Sequence, residues 1–255
     1  MKIGICTTSD KAEQALDCGA DFFEISAVGE VNGITDESFE NLKLRLSGMK
    51  IKPYSCNGLI AGNVRLCGRN TDFDLVTEYV EKSFKRLNDL GVKMLVFGSG
   101  AARAVPEGFS YETAYERLIQ VGRIFSEIAA RYGQTIAVEP LRRAEVNIIN
   151  TVSDAAEYIR KVDRANIKLN ADFYHMTENG ENFEVLRDNR ELLAHIHVAD
   201  RNRNIIKSDD IDIVRGWGEL LNDIGYEGSV SYEGAWTDDK DKLADMFWIL
   251  HRYFI

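Results

Sequence analysis

Strand-like and helix-like segments alternate along the sequence, and this alternation limits the choice of fold more than any other feature. Eight short stretches rich in aliphatic residues predict strands, and amphipathic stretches such as residues 72–90 and 111–132 lie between them. The predicted strands cover residues 2–6, 21–25, 51–56, 92–97, 134–139, 167–172, 194–199 and 228–233. Eight such units in 255 residues match an α/β fold of the (β/α)8 TIM-barrel type in count and length.

A doubly wound open sheet is the alternative for a chain of alternating strands and helices. Dinucleotide-binding sheets of that kind carry a G-x-G-x-x-G turn after the first strand, whereas here the sequence C-T-T-S-D follows at residues 6–10. No Ser- and Pro-rich linker or low-complexity segment divides the chain. We therefore expect a single TIM-barrel domain over residues 1–255.

Residues that favour helix ends support this division. Gly91 and Gly133 lie where the C-terminal caps of two helices are expected. The expected helix starts are Asp36, Thr71 or Asp72, and Ser153. We expect the run at residues 246–254 to be a last helix that packs on the barrel, with a subunit contact in a homo-oligomer as the alternative.

Charge and composition argue against several classes of protein. The chain has 31 Lys and Arg against 41 Asp and Glu, and a net charge of −10 opposes binding to nucleic acid. No stretch approaches the roughly 18 apolar residues of a membrane span, and residues 1–8 lack the apolar region of a signal peptide. We expect a cytoplasmic protein. Its four cysteines form no C-x-x-C pair and are expected to be thiols.

Three late runs alternate apolar with polar residues and carry Asp172, His197 and Glu233 near their ends. Since side chains of a strand point alternately to opposite faces, these three residues lie on the polar faces of their strands. A surface sheet would give the same alternation, with the polar face in water. In a closed barrel the polar faces would instead meet at the C-terminal mouth, where active sites of this fold lie.

A fourth acidic residue, Glu139, ends the fifth predicted strand. Three carboxylates and one imidazole from four consecutive strands suit one divalent cation. The oxygen-rich set favours Mn²⁺ or Mg²⁺, with Co²⁺ and Zn²⁺ as alternatives. Of the two histidines on strand seven, His197 lies nearer the mouth, and His195 is expected to be a packed, hydrogen-bonded interior residue.

Several motifs resemble those of a known family, the xylose-isomerase-like TIM-barrel proteins of the sugar phosphate isomerase/epimerase group. The sequence V-E-P-L-R-R-A-E at residues 138–145, with N-T at 150–151, is similar to the family segment E-P-L-N-R-x-E…N-T. Residues 171–176 resemble its D-x-x-H-M segment, and residues 195–197 with Arg203 resemble its H-x-H…R. Within the family, the D-tagatose/D-allulose ketose 3-epimerases are the subgroup with the best-understood chemistry.

This resemblance implies a metal-dependent carbohydrate isomerase or epimerase that binds a small-molecule sugar or sugar phosphate. It implies that the metal ligands are Glu139, Asp172, His197 and Glu233, and that the sugar is held by Glu145, His175 and Arg203. It further implies that Glu139 and Glu233 exchange the substrate proton. The chemistry is physically reasonable, because a metal-polarised carbonyl stabilises an enediolate and epimerisation needs a base on each face.

Departures from the family pattern leave the identity of the sugar open. Arg142 stands where the family has Asn, residues 204–210 replace a P-G-x-G loop, and G-A-W at 234–236 stands where epimerases often have Pro-Phe. The turn at residues 98–100, with Arg103, fits either a phosphate cradle or a tight turn. Two further residues, Glu24 and Trp236, are candidates for the wall of the sugar pocket. The alternative is an acid at the rim of the core for Glu24 and a packed indole for Trp236.

Other functions share part of this pattern. Aldose–ketose isomerisation, inosose isomerisation or dehydration, and elimination from an oxidised sugar would use nearly the same residues. An abasic-site endonuclease with a trinuclear zinc cluster needs more than the four histidines of this chain. A non-catalytic sugar-binding barrel has no need of two opposed carboxylates at a metal.

Overall fold

The computed structural model describes residues 1–254 and shows eight parallel strands in a closed barrel. The strands are β1 Lys2–Cys6, β2 Phe22–Ser26, β3 Pro53–Asn57, β4 Met94–Phe97, β5 Thr135–Val138, β6 Ile167–Asp172, β7 Leu193–Val198 and β8 Ser229–Tyr232. Each strand pairs with the next, and β8 pairs with β1 to close the barrel. The predicted TIM barrel is confirmed, and the open-sheet alternative is wrong.

Helices connect the strands and cover the outside of the barrel. The α-helices are α1 Ala12–Asp17, α2 Asp36–Gly48, α3 Phe73–Asp89, α4 Gly100–Arg103, α5 Tyr111–Ala130, α6 Val152–Val162, α7 Phe173–Asn179, α8 Val185–Asp188, α9 Ile211–Asp223 and α10 Lys240–Phe254. A π-helix, Ala27–Asn32, follows β2, and 3-10 turns lie at Arg190–Leu192 and Ser208–Asp210. Phe125 of α5 packs edge-on against Phe97 of β4, with ring centroids 5.3 Å apart, so aromatic contacts help to hold helix and barrel together.

Two helix starts differ from the expectation. Helix α6 is capped by Thr151 rather than Ser153: its Oγ1 accepts the Asp154 N–H at 3.1 Å, and the Asp154 carboxylate accepts the Thr151 N–H at 3.0 Å. This reciprocal pair is a capping box, which satisfies two amides that the helix itself leaves free. Thr35 likewise caps α2 in place of Asp36, whereas Asp72 caps α3 as expected.

The predicted strands agree with the observed ones to within two residues. Strand β4 begins at Met94 rather than Val92, because the Val92 amide donates to the Leu87 carbonyl at 3.0 Å and closes the end of α3. Gly91, in the turn between them, has a φ of +91°, and Gly133 after α5 has +61°. Both conformations favour glycine, as the sequence predicted.

The barrel interior changes character along its axis. Near the N-terminal ends of the strands, the Phe22 ring fills the space beside Gly4, where an added Cβ would lie 2.3 Å from the ring. Towards the C-terminal ends the strand register pairs polar residues, with Asp172 beside His197 and His197 beside Ser231. The site therefore lies at the C-terminal mouth, above an aromatic plug.

Within residues 1–254, no helix combines the length and the apolar character needed to cross a membrane. The four cysteines are free thiols, as predicted.

Replacing Thr151 with Ala should lower the free energy of unfolding by about 1 kcal/mol, because the capping box is lost. Ser153→Ala is the matched control. Ser153 is exposed and lies two residues after Thr151. We expect its replacement to change the free energy of unfolding by no more than about 0.5 kcal/mol. Urea denaturation followed by circular dichroism measures both. Equal destabilisation by the two variants would contradict the assignment of the cap.

Candidate active site

The four residues predicted to bind a metal converge at the mouth of the barrel. Asp172 ends β6, His197 lies on β7, and Glu139 and Glu233 directly follow β5 and β8. One ligand atom from each of the four lies within 4.8 Å of those of the others. His197 Nδ1 is 2.9 Å from Glu139 Oε1 and 3.5 Å from Glu233 Oε2. The carboxylates thus surround one edge of the imidazole ring.

The surroundings of His197 fit a cation at Nδ1. Both ring nitrogens are buried and, within residues 1–254, lack a hydrogen-bond partner of normal geometry. Their close neighbours are carboxylate oxygens: Glu24 Oε1 lies 3.0 Å from Nε2, and Glu139 Oε1 lies beside Nδ1. A neutral imidazole can donate from only one nitrogen, so the other presents a lone pair to anionic oxygens. A divalent cation or a proton would satisfy all of these atoms.

The donor set also fits a divalent metal. Carboxylate oxygens and imidazole nitrogen are ligands of hard or borderline cations, and metal–ligand distances of about 2.0 to 2.6 Å keep the ligand atoms of one ion within about 5 Å of one another. A second group, Cys6, Glu24 and His197, shares the same histidine. Burial and the Glu24 charge raise the pKa of the Cys6 thiol.

The charges at the mouth shift the pKa values of the two glutamates in opposite directions. Burial raises the pKa of Glu139, and the nearby Glu233 charge adds to the effect. Burial would also raise the pKa of Glu233, but the His197 and Arg203 cations outweigh it and lower that pKa. Glu233 thus gives up its proton more readily than Glu139.

The charges at the mouth also shift the pKa values of the other two predicted ligands. Burial raises the pKa of Asp172 well above its usual range, and the charges of Glu233 and Glu139 add to this. Burial disfavours a charged His197, but Glu24 and Glu233 outweigh burial and raise its pKa well above the usual value. Before a metal binds, His197 therefore carries a proton at the position that the metal would occupy.

Arg203 reaches into this cluster, as predicted. Its Nη1 donates to Glu233 Oε2 at 2.9 Å, and its Nη2 donates to Asp172 Oδ2 at 3.4 Å. The guanidinium lies 4.4 Å from the centroid of the Tyr174 ring. A backbone φ of +53° at Arg203 belongs to the sparsely populated left-handed region, and such outliers cluster at functional sites.

His175 lies between two hydrogen-bond donors at the mouth. Burial, followed by the Arg203 charge, lowers the pKa of His175 to about 3, so the ring is neutral. Nδ1 lies 3.3 Å from the backbone N–H of Arg142, and Nε2 lies 3.1 Å from Arg203 Nη2 and 3.6 Å from Asp172 Oδ2. A neutral imidazole accepts at one nitrogen only, so the ring can accept from one of these two donors at a time.

The structure does not bring Glu145 into contact with the four predicted ligands. Its Oε1 accepts from Arg142 Nε at 2.7 Å, and a second bond joins Arg142 to Glu178 at 3.2 Å. The Arg142 guanidinium also lies 5.2 Å from the Tyr174 ring centroid. Arg142, which replaces the family Asn, thus holds Glu145 at the edge of the site, and the role of Glu145 in holding the sugar stays a prediction.

The sequence analysis missed two amides that contact the glutamates. Asn57 Nδ2 donates to Glu233 Oε1 at 3.2 Å, and Asn170 Nδ2 donates to Glu139 Oε1 at 3.0 Å. Asn170 precedes Asp172 by two residues and shares its strand face, so parity alone could have identified it. Asn57 lies one residue beyond the predicted end of strand three and offered no such signal.

The turn after β4 supports Glu139. The buried Arg103 side chain donates to the backbone carbonyls of Glu139 at 2.7 Å and Phe97 at 3.1 Å, so it is not available to an anion at the surface. A Cβ on Gly98 would lie 2.2 Å from Glu139 Oε2, which shows that the carboxylate needs the glycine. Arg103 and Gly98 thus have structural roles in this turn.

Glu24 and Trp236, the two other candidates for the pocket wall, have different positions. Glu24 is only 1% exposed and lies beneath the mouth against His197, so it is not a wall residue. Trp236 is half-buried, its Nε1 donates to Asp238 at 2.7 Å, and Lys11 Nζ lies 5.1 Å from its ring centroid. His195 is fully buried and hydrogen-bonded, as predicted.

Comparisons with known proteins agree with this architecture. The family model for the xylose isomerase-like TIM barrel matches residues 12–247. Over 113 residues the chain is 39% identical to the 3-dehydro-D-guloside 4-epimerase of Escherichia coli, and over 120 residues it is 32% identical to the D-psicose 3-epimerase of Ruminiclostridium cellulolyticum. These matches cover 44% and 47% of the chain and 43% and 41% of the relatives, so the chain spans about two fifths of their length.

A solved structure shows the same fold over the full chain. The D-psicose 3-epimerase of Clostridium cellulolyticum H10, crystallised with D-tagatose, superimposes with a TM-score of 0.84 at 22% sequence identity. The superposition covers 100% of this chain and 99% of that one.

Binding of Mn²⁺ to the metal-free protein should release about one proton or more per ion at neutral pH. The cation and the proton compete for His197 Nδ1, whose raised pKa keeps it protonated, so affinity should increase as the pH rises. Isothermal titration calorimetry in two buffers of different ionisation enthalpy measures the number of protons. His251→Gln, which alters a histidine outside the site, should leave this number unchanged. The same affinity at about pH 6 and about pH 8 would contradict the assignment.

Proposed function

Because the chain belongs to the xylose isomerase-like TIM-barrel family, we propose that it is a divalent-metal-dependent carbohydrate epimerase that exchanges a proton beside a sugar carbonyl. One observation carries the proposal: Glu139 and Glu233 flank His197 from β5 and β8, and their pKa values are shifted in opposite directions. Epimerisation needs an acid and a base on opposite faces of one carbon, and this pair would supply both.

The metal would be held by Glu139, Asp172, His197 and Glu233, with Mn²⁺ as the preferred ion and Mg²⁺, Co²⁺ or Zn²⁺ as alternatives. When bound, it would polarise the substrate carbonyl and make the adjacent C–H bond more acidic. The convergent carboxylates, and the unpartnered nitrogens of His197 within residues 1–254, support this assignment.

The two glutamates would divide the proton transfer. Glu233, ionised, would take the proton from the carbon beside the carbonyl, and Glu139, protonated, would return a proton to the opposite face. Asn57 and Arg203 each donate to a different oxygen of Glu233, which fixes the orientation of the base. Asn170 binds Glu139 Oε1, and Oε2 lies over Gly98. In the reverse direction the two glutamates would exchange roles.

Arg203 and His175 would bind the sugar oxygens. The Arg203 guanidinium would stabilise the negative charge of the enediolate formed after proton removal. Neutral His175 would donate its Nε2–H to a sugar hydroxyl or carbonyl oxygen once the substrate draws Arg203 Nη2 away from that nitrogen, because Nδ1 then accepts the Arg142 amide. Glu145 would accept a hydroxyl from the edge of the site once its pair with Arg142 opens.

The proposed reaction is common to both kinds of relative. A D-psicose 3-epimerase acts on the carbon next to the 2-carbonyl, and a 3-dehydro-D-guloside 4-epimerase acts on the carbon next to the 3-carbonyl. We therefore propose epimerisation at a carbon adjacent to a ketone, with ketose 3-epimerisation as the main candidate. The 39% identity to the second relative favours a 3-keto sugar as the alternative substrate.

The first test is Glu233→Gln. In D₂O with Mn²⁺ and a reactive ketose or 3-keto sugar, the unaltered protein should introduce deuterium at the carbon beside the carbonyl. The variant should lose about 10²-fold or more of this exchange, since an amide cannot accept the proton. Glu116→Gln, on the exposed surface of α5, is the matched control and should exchange at the original rate. NMR measures the label, and undiminished exchange in Glu233→Gln would remove this residue from the mechanism.

A substrate screen separates the proposed activity from its alternatives. Free and phosphorylated ketoses, 3-keto glycosides and inososes would each be incubated with protein and Mn²⁺ and analysed by chromatography. An inverted product at the carbon beside the ketone supports epimerisation. An aldose product would indicate an isomerase, a dehydrated product a dehydratase or lyase, and binding without turnover a sugar-binding barrel.

A further inference from the structure

Beneath the four proposed metal ligands lies a carboxylate that the proposed mechanism does not use. Glu24 is on β2, where the strand register places it beside Cys6 of β1 and Ser55 of β3. Its side chain is buried in the barrel interior. A buried carboxylate needs donors for its oxygens, since its removal from water is costly.

One oxygen of Glu24 is saturated by donors. Oε2 accepts from Ser55 Oγ at 2.6 Å and from Ser231 Oγ at 3.0 Å. His195 Nε2 lies 3.0 Å from the same oxygen. His195 Nδ1 lies 2.7 Å from Ser229 Oγ, which can donate its hydroxyl proton there and leave the ring proton on Nε2. Three donors from three other strands therefore fix the rotation of the Glu24 carboxylate.

The other oxygen faces His197. Within residues 1–254, Glu24 Oε1 has no hydrogen-bond partner of normal geometry, and His197 Nε2 lies 3.0 Å from it. A proton on Nε2 would satisfy this oxygen. The opposite nitrogen, Nδ1, then faces Glu139 and Glu233, where its own proton can be exchanged for a metal ion.

We propose that Glu24 is a positioning residue that keeps the proton of His197 on Nε2 and so directs Nδ1 towards the metal. This inference rests on the proposed function, because it gives His197 the role of a metal ligand. Glu24 would not touch the substrate. Its carboxylate would raise the basicity of the imidazole and fix the ring plane, as partners of metal-bound histidines do.

The hydrogen-bond network predicts what an amide at this position would do. In Glu24→Gln, the three donors that converge on Oε2 would select the amide oxygen for that position. The NH₂ group would then turn towards His197 and donate to Nε2, which must become the acceptor. The ring would then keep its proton on Nδ1 alone. Metal binding at Nδ1 would force a proton onto Nε2, where the amide NH₂ group cannot accept it.

The test compares Glu24→Gln with Ser55→Ala, each in the whole 255-residue chain. Mn²⁺ affinity, measured by isothermal titration calorimetry, should fall by about 10- to 100-fold in Glu24→Gln. Ser55→Ala removes one donor but keeps the carboxylate and should have a smaller effect. Unchanged affinity in Glu24→Gln would overturn the proposal.

A second readout separates positioning from a merely structural role. In ¹⁵N-histidine spectra of the metal-free proteins, His197 should carry protons on both Nε2 and Nδ1 in the unaltered chain and on Nδ1 alone in Glu24→Gln. Identical proton positions in both proteins would overturn the proposal even if affinity fell. If Glu24→Gln does not fold, Glu24→Asp keeps the charge but withdraws it from His197; it should also weaken Mn²⁺ binding, and unchanged affinity would refute the role.

These measurements distinguish the two proposals. If the unaltered protein binds Mn²⁺ and only the proton position or affinity fails to respond, the role of Glu24 is wrong and the proposed epimerase stands. If the unaltered protein binds no divalent ion, the proposed function fails, and the ¹⁵N spectra still decide whether Glu24 sets the tautomer.

Discussion

Closure of the barrel brings the polar faces of parallel strands into one interior. Most features of the site follow from the need to give these buried polar side chains hydrogen-bond partners. In a flat, exposed sheet the same side chains would be hydrated. Inside the barrel Glu24, Asn170 and His195 must find partners across strands, because a buried polar group without one is costly. The serines of β3 and β8 supply such partners to Glu24. The mouth is therefore a cross-strand network, and each strand end contributes a group whose partner belongs to another strand.

The same closure concentrates charge. Three carboxylates lie around His197, and the Arg203 guanidinium contacts two of them. Because Glu233 is near both cations and Glu139 is more deeply buried, the two glutamates differ in pKa although they are chemically identical. Burial and neighbouring charge are thus enough to give two glutamates in one site different pKa values.

The sequence predicted the barrel and the convergence of the four residues because strand parity and strand order are local properties of the chain. It also separated His197 from His195 by depth along β7. Contacts that depend on long side chains were less predictable: Arg142 holds Glu145 aside, and Arg103 turns inward to the carbonyls of β4 and β5. Glu24 was expected at the pocket wall because its depth depends on the stagger between strands, which no single segment encodes. The predicted start of α6, Ser153, lies two residues after the actual cap, Thr151. The choice of Thr151 depends on its reciprocal hydrogen bonds with Asp154, which the residue type at the cap does not reveal.

Arg103 has a consequence for how such a protein can diversify. Its guanidinium ties together the backbone of β4 and that of Glu139, so the half of the mouth that holds Glu139 is anchored within the barrel wall. Arg203, in contrast, lies in a turn after β7. In this turn the Asp200 carboxylate accepts the Asn202 amide, and the Arg203 carbonyl accepts the Ala235 amide. Changes in length or sequence after β7 and β8 can therefore reshape the side of the site that meets the substrate while the anchored half stays in place. The mouth therefore has one half that is fixed to the barrel wall by Arg103 and one half that is carried by loops.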